Sequence, residues 1–491
     1  MQLALLVLVL AASLAAFGGT YRWATGPLVL LAALTALPAP LATLRVSRTT
    51  WALDLAWLAA IAGVVLQLIP LPAAATTALS PASNQVRQAL RLDAFAGAGV
   101  APLTVDPAGT LHALGLAVFA LLCFWSARRV FALGGVRRFS RALVALGSIL
   151  VVAALAQRLL SPDRIYGYWV LQDPGARPFG PFVNRNHFAG WLVMACPVLT
   201  GYLVAHARVH LAEVRSWREG LSVLQNSGGA RVAVGIVAMG VTLLLTLSRS
   251  GAAGLGAAAI AGWLISRGRL ARSGRGLGAL AAAGGLALLV ALLLVDVDAW
   301  AARVASVFQA RPVDRLVIWR ETLPLVRDFW LTGVGAGGYG TAMLLYQHTL
   351  QVMPHLGGGF AHFNQAHSQY LQIVAEGGLL LGLPAAAGLV ALVVLGRRRL
   401  MADRGEIFWI RAGAAAGLVG TAVQGIWETP LRMPADAALA AVLAALLLHQ
   451  RVAPRGERSA TGATSHDFEE QPGATALPSA RATRRRRPLR D

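Results

Sequence analysis

SQYLQIVAEGGLLLGLPAAAGLVALVVLGRRR, residues 368–399, decides the fold. From 368 to 395 the stretch is apolar, and as a helix rising about 1.5 Å per residue it is long enough to cross the ~30 Å hydrocarbon layer of a bilayer. It ends in Arg397, Arg398 and Arg399, the charge signature of a span end held on the cytoplasmic side. Working outward, further apolar stretches of spanning length fall near 2–18, 25–44, 51–71, 109–127, 139–160, 187–207, 231–248, 250–266, 277–295, 408–428 and 433–449. The expected fold is therefore all-α, a polytopic membrane helix bundle of about twelve transmembrane helices.

Composition agrees. Of 491 residues, 56% are hydrophobic and 13% charged, too few charges to keep a soluble domain in solution. The formal charge is +21, yet every basic residue is arginine and the arginines gather between apolar runs, where they orient a membrane protein. Nucleic acid is thereby excluded as an expected partner. Cys123 and Cys196 both lie inside apolar runs, which leaves neither a disulfide framework nor a cysteine zinc site. The run from Gln2 to Phe17 lacks a basic leader and is followed at once by more spans, so it reads as the first helix and not as a signal peptide.

With the N-terminus inside, the cytoplasmic connectors hold nineteen arginines and only four acids, Glu213, Glu219, Asp403 and Glu406. The three short outer connectors hold one arginine each, Arg22, Arg249 and Arg432. This bias places both termini in the cytoplasm and turns three long segments outward, 72–108, 161–186 and 296–367. The last is a large periplasmic loop within a membrane domain spanning 1–449. Its Leu316, Trp319, Leu323, Val326 and Trp330 recur at helical spacing, which suggests amphipathic helices lying on the membrane surface. Residues 450–491 turn polar and end in Arg484 to Arg487, a disordered basic cytoplasmic tail, solvated or touching anionic headgroups. Gly251, Gly254 and Gly256 offer one helix a close-packing face.

Four outward clusters could carry chemistry. Asn184, Arg185, Asn186 and His187 form a polar knot where a long loop enters a helix. Capping by Asn184 or Asn186 with a snorkelling Arg185 is an equal alternative there. Ser248-Arg249-Ser250-Gly251 sets an arginine at a helix start against the positive-inside bias, which suits an anion; contact with lipid phosphate is the competing reading. Arg315, Trp319 and Arg320 lie in the large loop, ahead of Gly333-Val334-Gly335-Ala336-Gly337-Gly338. That run formally fits a dinucleotide fingerprint, but no βαβ unit surrounds it, so tight turning and close backbone approach explain the glycines better. His367-Ser368-Gln369-Tyr370 opens the helix that continues through Glu376. A histidine there has the basicity to take a proton from an attacking hydroxyl, although a lone histidine is more often structural. His362 and His367 are five apart, not at the spacing of a helical zinc pair, so no metal is expected. Outward arginines with a histidine suit transfer from a lipid-linked pyrophosphate, with charge neutralised by arginine forks.

In order and spacing, PFVNRNHFAG, LTLSRSG, DRLVIW with LTGVGAGGYG, and HSQYLQIVAEGG resemble the O-antigen ligase and O-antigen polymerase superfamily from about Pro70 to His449. The resemblance implies a bacterial inner-membrane glycosyltransferase that takes a glycan from undecaprenyl pyrophosphate at the periplasmic face, without metal or other cofactor. The acceptor is lipid A core or another glycan. It implies His367 as the residue activating the acceptor and Arg249 and Arg315 as pyrophosphate ligands, with Arg185 and Arg320 beside them. Asn184, Asn186, His187, Trp319, Tyr370 and Glu376 are expected in support. Glu376 to Gly382 reads EGGLLLG, with its last glycine one position later than the E-x-G-L-x-G of the family. A ligase-type enzyme is the expected function, with an O-antigen or exopolysaccharide polymerase as the alternative. A transporter or flippase needs ionisable residues near mid-membrane, and Asp54 and Arg411 are the chief candidates.

Overall fold

The computed structural model describes residues 1–36, 50–92, 99–171, 178–211, 214, 216–270, 315–349, 352–353, 359–360 and 362–450. The predicted span 277–295, the large loop up to 314 and the tail beyond Gln450 lie outside the described residues, as do Arg45, Arg48, Arg215, Arg272 and Arg275. In chain order the helices are α1 (Gln2–Ala15), α2 (Thr25–Ala36), α3 (Trp51–Leu68), α4 (Ala73–Leu79), α5 (Pro81–Leu90), α6 (Pro107–Ala132), α7 (Val136–Leu160) and α8 (Arg185–His210). There follow α9 (Trp217–Ser227), α10 (Gly229–Leu245), α11 (Arg249–Leu270), α12 (Arg315–Asp328), α13 (Tyr339–Tyr346), α14 (Gln369–Ala402), α15 (Ile407–Gln424) and α16 (Pro434–Leu448).

Eleven of the twelve predicted segments fall on described residues, and each of these contains a helix. Six are long and apolar enough to cross a membrane, α3, α6, α7, α8, α14 and α15, and α9 with α10 makes a seventh if the pair, bent by 85°, counts as one span. The protein is a multi-pass membrane protein built of helices. The described strands are three two-residue antiparallel ribbons, β1–β2 (Leu71–Pro72 with Val100–Ala101), β3–β4 (Arg164–Ile165 with Trp169–Val170) and β5–β6 (Val352–Met353 with Gly359–Phe360).

Helices α8 and α15 form the centre of the bundle, and small residues let them meet. A Cβ at Gly201 would overlap the Trp409 carbonyl and one at Gly413 the Pro197 carbonyl; α11 joins α15 in the same way, where a Cβ at Gly254 would stand 2.8 Å from the Gly420 oxygen. Such contact suits helices in lipid, where no hydrophobic force drives one helix onto another and close backbone packing must supply the attraction. The glycine face expected on α11 is confirmed at Gly251 and Gly254, whereas Gly256 has nothing within 4 Å. Helix α1 packs into the same core through Leu6, Val9 and Leu10.

Neither candidate for a mid-membrane transport residue is unpaired. Asp54, in the first turn of α3, accepts from Arg128 at 2.8 Å and 2.9 Å and from the Trp125 indole at 3.0 Å. Arg411 pairs with Asp403 at 3.1 Å and donates to the Leu447 carbonyl. Both lie near helix ends far in sequence from the outward clusters, and both close buried polar groups that lipid could not satisfy.

The segments expected to face outward build a second, smaller core, a cap on the bundle. Ala82, Val86 and Val105 from the 72–108 segment meet Ile318, Leu325, Phe329, Tyr339 and Met343 from the large loop. The apolar set expected to lie along the membrane accordingly divides. Leu316, Leu323 and Trp330 are exposed at seven-residue spacing, while Trp319 and Val326 are half-buried. The buried stripe of α12 is Ile318, Thr322 and Leu325, continuing to Phe329. Two apolar faces share one helix, and sequence spacing does not rank them.

What joins this cap to the bundle is a break in α14. Gly378 has φ 52° and ψ −144°, outside the helical region, and the turn after α12 pairs with the backbone on either side of the break. Leu379 and Leu380 donate to the Trp330 and Leu331 carbonyls at 2.8 Å and 3.0 Å, and Val334 and Gly335 donate to Ala375 and Glu376 at 3.1 Å. The side chain of buried Gln67 completes the knot, donating to the Thr332 carbonyl at 2.7 Å and accepting from the Ala336 amide at 3.0 Å. The glycine run is therefore a close-approach device, as its composition suggests: Gly333 has φ 68° and a Cβ there would overlap the Glu376 carbonyl. Gly333→Ala should lower stability by about 1–3 kcal/mol. Gly382→Ala, with nothing within 4 Å, should be near neutral. Thermal unfolding of the two purified variants in one detergent measures the difference.

Candidate functional site

Three helix N-termini open at the end of the bundle that carries the cap. Asn184 caps α8, its side-chain oxygen accepting from the Asn186 amide at 2.8 Å. Ser248 caps α11, accepting from the Gly251 amide at 3.1 Å, and a Cβ at Gly251 would stand 2.7 Å from Ala189, so the two helix starts are neighbours. Ser368 caps α14. The Gln369 amide donates to the Gly425 carbonyl at 2.8 Å, and Gln424 donates to the Asn186 carbonyl at 2.9 Å, which brings the third start to the other two. Each start presents amides and the positive end of a helix dipole.

The centre of this convergence is Glu428, on the short connector between α15 and α16. Its side chain is only 1% exposed. One oxygen, Oε1, accepts from Asn186 Nδ2 at 2.7 Å and from the Arg315 guanidinium. The other, Oε2, faces His367 Nδ1 at 4.0 Å, an ion-pair separation, and neither of these two buried atoms has a hydrogen-bond partner. Burial pushes the Glu428 pKa up, but His367, Arg315 and His187 together outweigh it and hold the carboxyl below its ordinary value of 4.5.

His367 is held from both sides. Its φ of 47° lies in the left-handed region, uncommon for a residue with a side chain and costing about 1–2 kcal/mol. The preceding Ala366 is clamped: its carbonyl accepts from the Trp319 indole at 2.9 Å, and its amide donates to Gln372 Oε1 at 2.7 Å. Gln372 in turn donates to Glu376 at 2.7 Å, and Glu376 lies 3.7 Å from Arg432. Trp319 follows Arg315 by four residues, so both project from one face of α12, about 40° apart, one onto Glu428 and the other onto the chain beside His367.

Of the residues expected from sequence, Asn186, Arg315 and His367 meet at Glu428, and His187 lies close enough to act on its charge. Arg185 is the first residue of α8, and Arg249 is the exposed first residue of α11 beside it. Trp319 and Glu376 position the His367 segment. Tyr370 is turned to α15, donating to the Ala422 carbonyl at 2.7 Å. Arg320 is exposed and, five residues after Arg315, projects about 140° round the helix from it, so α12 does not bring it to Glu428.

Glu428, Gln372 and Arg432 were not among the expected site residues. Glu428 fell inside the apolar stretch 408–428, whereas α15 ends at Gln424 and leaves it on the connector. Arg432 entered only as a topology charge. An acid on a connector expected to face outward and otherwise poor in charge is the available signal.

Residues 234–386 match the family model Wzy_C, described as O-Antigen ligase, and no curated protein matches. The matched stretch includes the Ser248 turn, α12, the glycine run and His367, and it confirms the resemblance to the O-antigen ligase and polymerase superfamily. Members of that family are glycosyltransferase-like enzymes. Asn186 and Glu428 lie outside the matched residues.

Glu428→Gln keeps the shape of the carboxylate and removes its charge, and at neutral pH it should cost about 1–3 kcal/mol of stability. Because the folded carboxyl titrates below 4.5, the wild type keeps this advantage above that pH and loses it as the pH falls through the folded value. Unfolding measured from pH 7 to pH 3 should therefore show the two proteins converging in acid, and a gap that stays constant would contradict the charge-based account.

Proposed function

We propose that this protein is an O-antigen ligase-type glycosyltransferase that moves a glycan from undecaprenyl pyrophosphate to an acceptor hydroxyl at the periplasmic face of the bacterial inner membrane. The membrane path is the twelve-span topology with both termini cytoplasmic, consistent with the arginine bias of the connectors. The observation that carries the proposal is the shared carboxylate: Glu428 binds Arg315 through one oxygen and faces His367 with the other.

With Nδ1 turned to Glu428, the second ring nitrogen of His367, Nε2, is the one left to meet an acceptor hydroxyl. The hydroxyl oxygen attacks the anomeric carbon while the bond from that carbon to the phosphate oxygen breaks. The hydroxyl proton passes to His367, and the facing carboxylate stabilises the imidazolium so formed. The electron pair leaves on undecaprenyl pyrophosphate, whose charge meets Arg249, Arg315, Arg185 and the amides of the converging helix starts. Glu428 occupies only part of the five-donor Arg315 fork and fixes its direction, so binding and base activation share one support. Neither step requires a metal or nucleotide cofactor.

Transfer is read from purified protein with a lipid-linked glycan donor and lipid A core, following glycosylated core on a gel. His367→Ala should reduce the rate on the order of 10²–10⁴-fold, the contribution typical of a general base. Arg249→Ala and Arg315→Lys should each lose at least about tenfold, since a lysine point charge does not replace a bidentate fork. Full transfer in both His367→Ala and Arg249→Ala would refute the mechanism. Lengthening of lipid-linked repeats without any lipid A core would make the enzyme a polymerase.

A further inference from the structure

One buried acid at this end of the bundle takes no part in the proposed chemistry. Asp436 stands in the first turn of α16 and is fully buried, at 0% exposure. Neither of its carboxyl oxygens has a hydrogen-bond partner. Glu428, almost as buried, is by contrast met by Asn186 and Arg315. Among the described residues no cation pairs with Asp436. On the elements packed against α16, Arg432 lies 3.7 Å from Glu376, Arg315 is bound to Glu428, His112 is bonded to Thr25 at 2.9 Å and Arg411 is paired with Asp403. The remaining titratable neighbour, His187 of α8, has a buried Nε2 that bonds to nothing.

What stands beside Asp436 is another acceptor. Gly190 of α8 leaves a gap there: a Cβ on it would stand 3.1 Å from Gln424 Oε1 and 3.5 Å from Asp436 Oδ2. Gln424, the last residue of α15, is also fully buried, and its Oε1 has no partner. The amide cannot turn to offer its nitrogen to the gap, because Nε2 donates to the Asn186 carbonyl at 2.9 Å and a carbonyl only accepts. Two buried acceptors thus line one gap with no donor between them. The Trp191 indole, one residue further along α8, is buried without a partner and bonds to neither.

A charged carboxylate in that place has nothing to offset its removal from water. The positive end of the α16 dipole favours the charge, but by far less than burial without a hydrogen bond costs. A neutral carboxylic acid resolves both orphans at once, since its O–H is the donor that the Gln424 oxygen lacks. The bonds then run in one direction, from the Asp436 O–H across the gap to Gln424 Oε1, from Gln424 Nε2 to the Asn186 carbonyl, and from Asn186 Nδ2 to Glu428 Oε1 at 2.7 Å. We infer that Asp436 holds a proton in the folded protein and, through Gln424 and Asn186, is a positioning residue for the Glu428 carboxylate that Arg315 and His367 share. Sodium between the same oxygens is the weaker occupant, because the helix start that favours an anion disfavours a cation. The positioning role rests on the transferase reading, whereas the proton does not.

The proton is tested by infrared spectroscopy of the full-length protein in lipid nanodiscs, where a protonated carboxyl group has a carbonyl band that a carboxylate lacks. The difference between wild type and Asp436→Asn at neutral pH should contain that band, and added sodium chloride should leave it unchanged. Absence of the band would overturn the neutral acid. So would its loss on adding sodium, which would make the gap a cation site. The positioning role is tested in the transfer assay. Asp436→Leu and Gln424→Met, which keep the volume and remove the bond, should each lower kcat about tenfold with KM nearly unchanged, and Asp436→Asn, whose N–H replaces the O–H, should recover most of that loss. Wild-type kcat in both apolar variants, or a loss in Asp436→Asn as large as in Asp436→Leu, would overturn it. Absence of transfer by the wild type would sink the transferase reading and leave the infrared result standing.

Discussion

A backbone amide in hydrocarbon has no water to turn to, so every departure from helix within the membrane domain must be closed by the protein itself. The break in α14 is where this constraint shapes the molecule most. The helix opens at Gly377 and Gly378, and the amides and carbonyls it frees are met by residues 330–336 and by Gln67. Each group left unpaired in lipid would cost several kcal/mol, which is comparable to the whole stability of many domains. The cap and bundle are consequently one hydrogen-bonded unit. The first part of α14, with His367 ahead of it, is positioned by the cap, whereas the part after the break packs along α3 and α16, with Gly388 against Ala56 and Gly396 against Leu447.

The site repeats that logic with a charge. A carboxylate as buried as Glu428 is tolerable only because Arg315 and Asn186 bind it and His367 faces it. These partners come from α8, α12 and the segment before α14, so one side chain holds together elements that are distant in the chain. Removing a partner from such a group typically costs about 3–5 kcal/mol, and stability and chemistry are therefore coupled at this point. Conservative exchanges separate the two better than truncations do.

Backbone strain gathers at the same end. Of the five described non-glycine residues with positive φ, Leu247 precedes the Ser248 cap, His367 precedes the Ser368 cap, and the rings of Phe17 and Tyr166 meet at 5.4 Å between centroids. The fifth, Arg91, caps the C-terminus of α5, an ordinary place for a left-handed residue. Strain of about 1–3 kcal/mol per residue is borne where side chains must point in a set direction, and the rest of the bundle, with its glycine contacts and filled core, supplies the stability that offsets it.

The amino-acid sequence by itself determined the helical class, the positions of eleven described helices and the four polar clusters, because hydropathy, arginine bias and capping residues are local signals. It also identified the histidine and the arginine that meet at the site. It did not reveal Glu428, which a hydropathy window absorbs into the preceding span although the helix stops four residues earlier. Nor did it separate Arg315 from Arg320, which share one motif and differ only in helical phase. Which apolar face of α12 is buried, what the glycine run closes, and which connector brings a carboxylate to the histidine were decided by tertiary structure alone. The physical reason is that each depends on contacts between segments tens to hundreds of residues apart, and no local pattern encodes which buried polar group will find which partner.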